Sequence, residues 1–316
     1  MMSLAEPAQH FVRAPGWTWY ILFYFFFAGL SGGTYVIATL LRLRGEPTDE
    51  PAARLGCYAS FATLLVCPVM LILDLGSPLR FWHMLWNTTP GDTGPIFKYW
   101  SPMSVGAWGL LVFGALVTVS FVDTLVRDGK LGWLGWVARL LDGALGKVVM
   151  IAGALFGLFV AGYTGVLLAV SNQPVWSDSW TLGGLFLASG MSGSVALLLF
   201  LLRYRAPAEI SAGPLTVSER LYAVLELALV VIFAITLVPA GTFDLAFGFP
   251  WILLWLVALA GLAPGIGGLV TSRLAVTPEG ITVPVHSASA VRSVAVPVLI
   301  LLGVLALRAA VIFSIE

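Results

Sequence analysis

Apolar residues run along this chain in long unbroken stretches, not in the alternating or three-to-four patterns of elements with one wet face. Eight stretches stand out: 17–41, 54–75, 101–125, 146–170, 180–202, 220–241, 249–271 and 293–315. A bilayer core about 30 Å thick is crossed by roughly 20 apolar residues of helix, and every stretch meets that length. In hydrocarbon only a helix or a closed barrel satisfies its own backbone N–H and C=O groups. Runs this long and this continuous predict an all-α polytopic membrane protein with eight transmembrane helices. The last stretch is the weakest, because Pro297 falls inside it. Proline is tolerated there if it lies near the helix start.

The polar interruptions repeat. Span one contains Gly29, Ser31, Gly32 and Gly33 and leaves through Arg42 and Arg44. Span five contains Gly190, Ser192, Gly193 and Ser194 and leaves through Arg203 and Arg205, at a constant offset of 161 residues. Arg54 and Arg220 then open the next span in each case. Spans one and five cross in the same direction, so the repeat is parallel, about an axis along the membrane normal. The expected organisation is a short external segment at 1–16, a first four-helix bundle at 17–170 and a second at 171–316. Residues 1–16 are mixed and polar and do not read as a cleaved leader. Glycines four apart, at 29 and 33 and at 153, 157 and 165, are expected to let helix backbones pack closely.

Charge fixes an orientation. Four loops, those after spans one, three, five and seven, hold twelve of the sixteen basic residues: Arg42, Arg44, Arg54, Arg127, Lys130, Arg139, Lys147, Arg203, Arg205, Arg220, Arg273 and Arg292. Arg13, Arg80 and Lys98 fall on the other side, and Arg308 lies within span eight. The positive-inside rule then puts both termini outside, in the periplasm, with the chain in a bacterial inner membrane. Hydrophobic residues make up 59% of the chain and charged residues 10%, and the net charge is zero. That composition excludes a soluble domain and leaves no basic surface for nucleic acid.

Candidate chemistry is sparse. The histidines, His10, His83 and His286, all fall outside the spans, so no paired imidazoles can hold a haem between them. Cys57 and Cys67 sit ten apart in one span, which matches no metal motif. Neither haem nor metal is therefore expected in this chain. Polar residues gather at the outer boundary of the first four spans: Asp74, Ser101, Ser104, Tyr163 about 10 Å deep, then Asn172, Gln173 and Trp176. Asp74 reads either as a functional carboxylate or as a partner for Arg80 and cap for the turn before Pro78. Tyr163 stands among small residues, which suggests a cavity. A quinone suits such a place: its tail stays in lipid, its carbonyls need donors at the membrane edge, and its reduction needs protons. A solute transporter could carry the same polar pattern, and an ion- or solute-translocating protein is the alternative class. Glu226 in span six reads as an intramembrane carboxylate, either neutral or paired with Arg220 or another basic group, and as the start of a proton path.

Three segments carry a family resemblance: Asp74, Gly76, Pro78, Arg80 and Phe81; then Ser101, Ser104 and Trp108; then Gly162, Tyr163 and Gly165. They resemble the NrfD/polysulfide-reductase membrane subunits, over nearly the whole chain. The resemblance implies a haem-free subunit that exchanges electrons between a membrane quinone and a ferredoxin-like iron–sulfur subunit, alongside a molybdopterin catalytic subunit. It implies a quinone site in the first bundle with Tyr163 as a contact, joined here by Thr164, Ser104 and Asp74. Some members use a histidine in span one, and this chain has none there, so His83 is the candidate substitute for proton transfer. The loop with Pro78, Arg80 and Phe81 is implied to face the iron–sulfur partner.

Overall fold

The computed structural model describes residues 14–204, 212–271, 274–276, 282–284 and 290–315. His10, His286, Arg13, Arg205 and Arg273 lie outside the described residues. The chain is almost wholly helical. In order come α1 (Trp19–Arg44), α2 (Glu50–Asp74), α3 (Pro102–Arg127), a short α4 (Gly135–Leu141), α5 (Ala144–Ala169), α6 (Leu182–Leu202), α7 (Ala212–Ala240), a short α8 (Phe243–Phe247), α9 (Ile252–Thr271) and α10 (Ala290–Phe313). The only strands among the described residues form two small antiparallel ribbons. Trp86–Asn87 pairs with Gly94–Pro95, and Leu274–Val276 pairs with Thr282–Pro284.

Every predicted span falls on one of these helices. Seven are long and apolar enough to cross a membrane. In α9, the seventh expected span, the described apolar part covers Ile252–Gly267 and is shorter. The last helix starts earlier than the hydrophobic pattern suggested, at Ala290, so Pro297 sits two turns inside it rather than near its start. With seven such helices, the chain is a multi-pass integral membrane protein.

Hydropathy alone cannot say which spans are central, because all are apolar all round. Their small residues decide it. α1 packs against α2, α5, α6 and α10, and α6 against α1, α5, α7 and α10, so these two form the middle of the molecule. Their backbones touch where Gly29 meets Gly190. One turn on, the Ser194 hydroxyl faces Gly33 and donates to the carbonyls of Leu30, at 3.1 Å, and Gly190, at 2.7 Å. The glycine stripe of α5 does the same on α1's other side. Gly157 receives the backbone at Gly32, and Gly153 receives the Tyr35 ring. Close backbone approach gains dispersion contacts that lipid tails cannot replace.

The helix ends with Arg42, Arg54, Arg127 and Lys147 form a basic end. There Arg54 bonds Glu50 at 2.8 Å and Asp128 at 2.5 Å, and Arg127 bonds Asp123 at 2.9 Å and Asp142 at 2.7 Å. These pairs line a recess of about 610 Å³ that reaches in to Ser120, whose hydroxyl meets that of Tyr35 at 2.6 Å. Burial pushes the Asp128 carboxyl up, but hydrogen bonds from Tyr58 and Arg54 outweigh it and hold the group below its usual range. A carboxyl depressed in the folded state stabilises the fold above its unfolded value, about 3.9, and that contribution fades as pH falls through the folded value. Asp128→Asn is thus expected to melt earlier than the parent at pH 7, with the gap closing on acidification below about pH 4. Melting curves in detergent from pH 7 to 3 test this, and a gap independent of pH would contradict it.

Candidate functional site

At the end opposite the basic one, α3 begins with Ser101, whose hydroxyl accepts the Ser104 N–H at 3.5 Å as an N-cap. The Ser104 hydroxyl in turn accepts the backbone N–H of Lys98 at 3.0 Å, tying the preceding loop to the helix. Trp108 anchors the same loop by donating to the Ile96 carbonyl at 2.6 Å. Tyr163 of α5 lies against this helix start. Its ring packs on Gly106, stacks on Phe159 at 5.2 Å, and its hydroxyl donates to the Pro102 carbonyl. Any side chain at position 106 would occupy the place of that ring, which is why the segment needs a glycine.

Tyr24 of α1 completes the constellation, and the sequence pattern did not single it out. It is buried, electrostatically coupled to Tyr163 and Cys67, and forms no hydrogen bond with any described residue. Tyr24 and Tyr163 lie at similar depth, respectively five and six residues from the ends of their helices. The one signal in the sequence was a phenol inside the aromatic run 23–27, which reads as ordinary core.

The other expected site residues are less closely joined. Thr164 is fully buried and bonds back to the Ala161 carbonyl of its own helix at 3.1 Å. Asp74 is hydrogen-bonded to the Thr18 hydroxyl at the start of α1, and no ion pair with Arg80 occurs among the described residues. His83 is exposed, leaning on Trp82 at 4.1 Å and 3.4 Å from the Thr88 hydroxyl. Pro78, Arg80 and Phe81 lie with it on an exposed 3-10 helix, Pro78–Met84. Trp176, expected in the same outer cluster, instead turns inward: it is fully buried, stacks on Trp17 at 5.0 Å and donates to the Val311 carbonyl of α10 at 2.7 Å.

Residues 8–314 match the family described as polysulphide reductase, NrfD. The chain belongs to that family. Similar proteins include a membrane-complex component named as a chain of polysulfide reductase in Wolinella succinogenes, 26% identical over 57% of this sequence and 56% of that protein. A selenate reductase subunit of Mesobacillus selenatarsenatis is 25% identical over 58% of this sequence and 47% of its own length. The NrfD protein of Escherichia coli is 25% identical over 60% of both. The chain thus spans about half to three fifths of the length of these relatives.

A second polar centre lies where α1, α6, α7 and α10 meet. Arg308 of α10 is fully buried. It donates to the Phe25 carbonyl of α1 at 3.3 Å, the Phe186 carbonyl of α6 at 3.2 Å, the Ser189 hydroxyl at 2.9 Å and the Val304 carbonyl at 3.1 Å. Its guanidinium stands 5.2 Å from the Phe186 ring. Ser189 is also hydrogen-bonded to Glu226 of α7, which feels the Arg308 charge. So the basic partner of Glu226 comes from α10 rather than from Arg220. Gly29 makes room for it, since a Cβ there would lie 2.7 Å from Arg308 Nη2. Glu226 is not the only carboxyl buried in this half: Glu219, two turns earlier in α7, is buried as well. A lone arginine in a span was the sequence signal for this centre, because an intramembrane charge faces the protein interior and takes a partner.

Proposed function

We propose that this chain is the quinone-reactive membrane subunit of an oxidoreductase complex, passing electrons between a partner's iron–sulfur cluster and a membrane quinone. The observation that carries this reading is the pair of buried phenols, Tyr24 and Tyr163, brought together from α1 and α5 beside the start of α3. Phenolic O–H groups donate to quinone carbonyls, and apolar walls suit the ring and tail. Tyr24, without a partner of its own among the described residues, supplies a donor from α1. Tyr163 would turn from the Pro102 carbonyl to the ligand, and Ser104 and Thr164 border the same helix ends. Reduction takes two electrons from the cluster and two protons from the medium and yields the quinol. Asp74 and His83 are the titratable groups at that end of the first half.

The exposed helix with Pro78, Arg80 and Phe81 is the proposed docking point for a ferredoxin-like iron–sulfur subunit, which a molybdopterin subunit would supply or drain. The basic end would face the cytoplasm, with both termini in the periplasm. Glu226 is proposed to lie on a proton path from that basic end. An origin by duplication of a four-helix unit is supported by Gly29 meeting Gly190 and Gly33 meeting Ser194. In each pair a residue touches its own counterpart 161 positions on, as residues beside a two-fold axis do.

Tyr24→Phe and Tyr163→Phe test the site. Each removes one neutral hydrogen bond, roughly 0.5–1.5 kcal/mol. Quinone-dependent turnover in the complex is expected to show KM raised roughly two- to ten-fold, with assembly and dye-linked activity retained. Unchanged quinone kinetics in both variants would remove the reading.

A further inference from the structure

Three side-chain oxygens in the second half are buried and without a hydrogen-bond partner among the described residues: Glu219 Oε1, Ser192 Oγ and Glu226 Oε2. Their residues are 5%, 1% and 2% exposed. Oxygens left bare in a hydrocarbon setting are costly, and in proteins such groups are met by ordered water where the site is polar enough. The three are also ordered by depth. α7 leaves the basic end and passes Glu219, then Glu226 seven residues on, which is the same helix face and ~10.5 Å further in. α6 runs the other way and presents Ser192 one turn nearer the basic end than Ser189, the residue that holds Glu226. Glu219 itself lies against Gly265 of α9, where a Cβ would stand 2.6 Å from Oε1.

We infer that Glu219, Ser192 and Glu226 line a hydrated inlet that carries protons from the basic end into the second half, closed at its far end by Arg308. The inlet rests on the reading of Glu226 as a proton site and adds its entrance, its stepping stone and its stop. The chemistry is proton exchange alone. Water at the basic end gives a proton to the Glu219 carboxylate, the acid passes it through water held at Ser192, and the Glu226 carboxylate receives it. Each O–H bond broken on one oxygen is remade on the next, and no electron moves. The charges facing the route are few. Arg220 neighbours Glu219, Glu219 and Arg308 both act on Glu226, and Ser189 bridges the last two. The guanidinium, fixed by four hydrogen bonds from three helices, keeps a positive charge in the way of a proton moving on. It also bonds the carbonyl of Phe25, next to Tyr24, so the inlet ends beside the helix that carries one of the two phenols.

The test uses the full chain in vesicles of one orientation, without partner or quinone. A pH step is applied on one side, and the carboxyl stretch lost in Glu226→Gln is followed by time-resolved infrared spectroscopy. A step at the basic end is expected to change the Glu226 band, and a step at the opposite end to leave it unchanged over the same time. Glu219→Gln is expected to slow that response at least about ten-fold, since a positioned proton-transfer group contributes that much or more. Gly265→Ala, which crowds Glu219 but keeps every acid, is expected to slow it too. A Glu226 band that answers equally from both sides, or at the parent's rate in Glu219→Gln, would overturn the inlet. So would a response that requires sodium ions. None of these outcomes bears on the quinone site, whose own failure would appear only in the kinetics of the tyrosine variants.

Discussion

Replacing Arg308 by methionine is expected to destabilise the protein by about 3–5 kcal/mol, the range for breaking one side of a buried ion pair. The loss has two parts. The Phe25 and Phe186 carbonyls and the Ser189 hydroxyl lose a charged donor, and Glu226 keeps a buried carboxyl with no counter-charge. The bulk of the side chain is nearly conserved, so packing contributes little. Glu226→Gln in the Arg308→Met background is expected to restore much of the loss, because a neutral amide needs no counter-charge. Arg308→Lys keeps the charge but cannot reach three helices at once with one ammonium, and should fall between. Thermal unfolding in detergent of the parent, the two single variants and the double variant gives the coupling directly as a double-mutant cycle. Additive effects of the two single substitutions would show that Arg308 and Glu226 do not act as a pair.

Gly32→Val is expected to disrupt the centre of the fold, while Gly114→Ala in α3 should be neutral or slightly stabilising. A Cβ at Gly32 would lie 3.0 Å from the carbonyl carbon of Gly157 and 3.3 Å from the Ala161 Cβ. The obstacle is backbone, so no rotamer change relieves it, and α1 and α5 must separate. Overpacking of this kind typically costs about 1–3 kcal/mol, and valine adds branching to it. At Gly114 the added methyl meets only Leu64 Cδ2, at 3.8 Å. There the helix gains the propensity difference between glycine and alanine, up to about 1 kcal/mol. Amounts of folded protein in the membrane, with melting curves, separate the two. Equal behaviour of both variants would mean that the close approach of α1 and α5 is not what fixes the bundle.

The sequence alone settled the membrane class, the helical fold and nearly every helix position, because hydrocarbon admits so few backbone solutions. Length and apolarity suffice for that judgement. The motifs around Asp74, Ser104 and Tyr163 also pointed to the family. Tyr163 and Ser104 do meet at the start of α3, since their helices are neighbours in the chain's own order. Tertiary structure was needed for everything that depends on which face of an all-apolar helix points where. Hydropathy has no period to read when lipid and protein interior are equally apolar. So Tyr24 looked like one more aromatic until α1 proved to be central, and Trp176 looked like an interfacial anchor until it was found under α10. Glu226 and Arg308 are 82 residues apart, and nothing in their local sequence pairs them. Only the crossing of α1 and α6 at two glycines, which opens space for a guanidinium, brings them together.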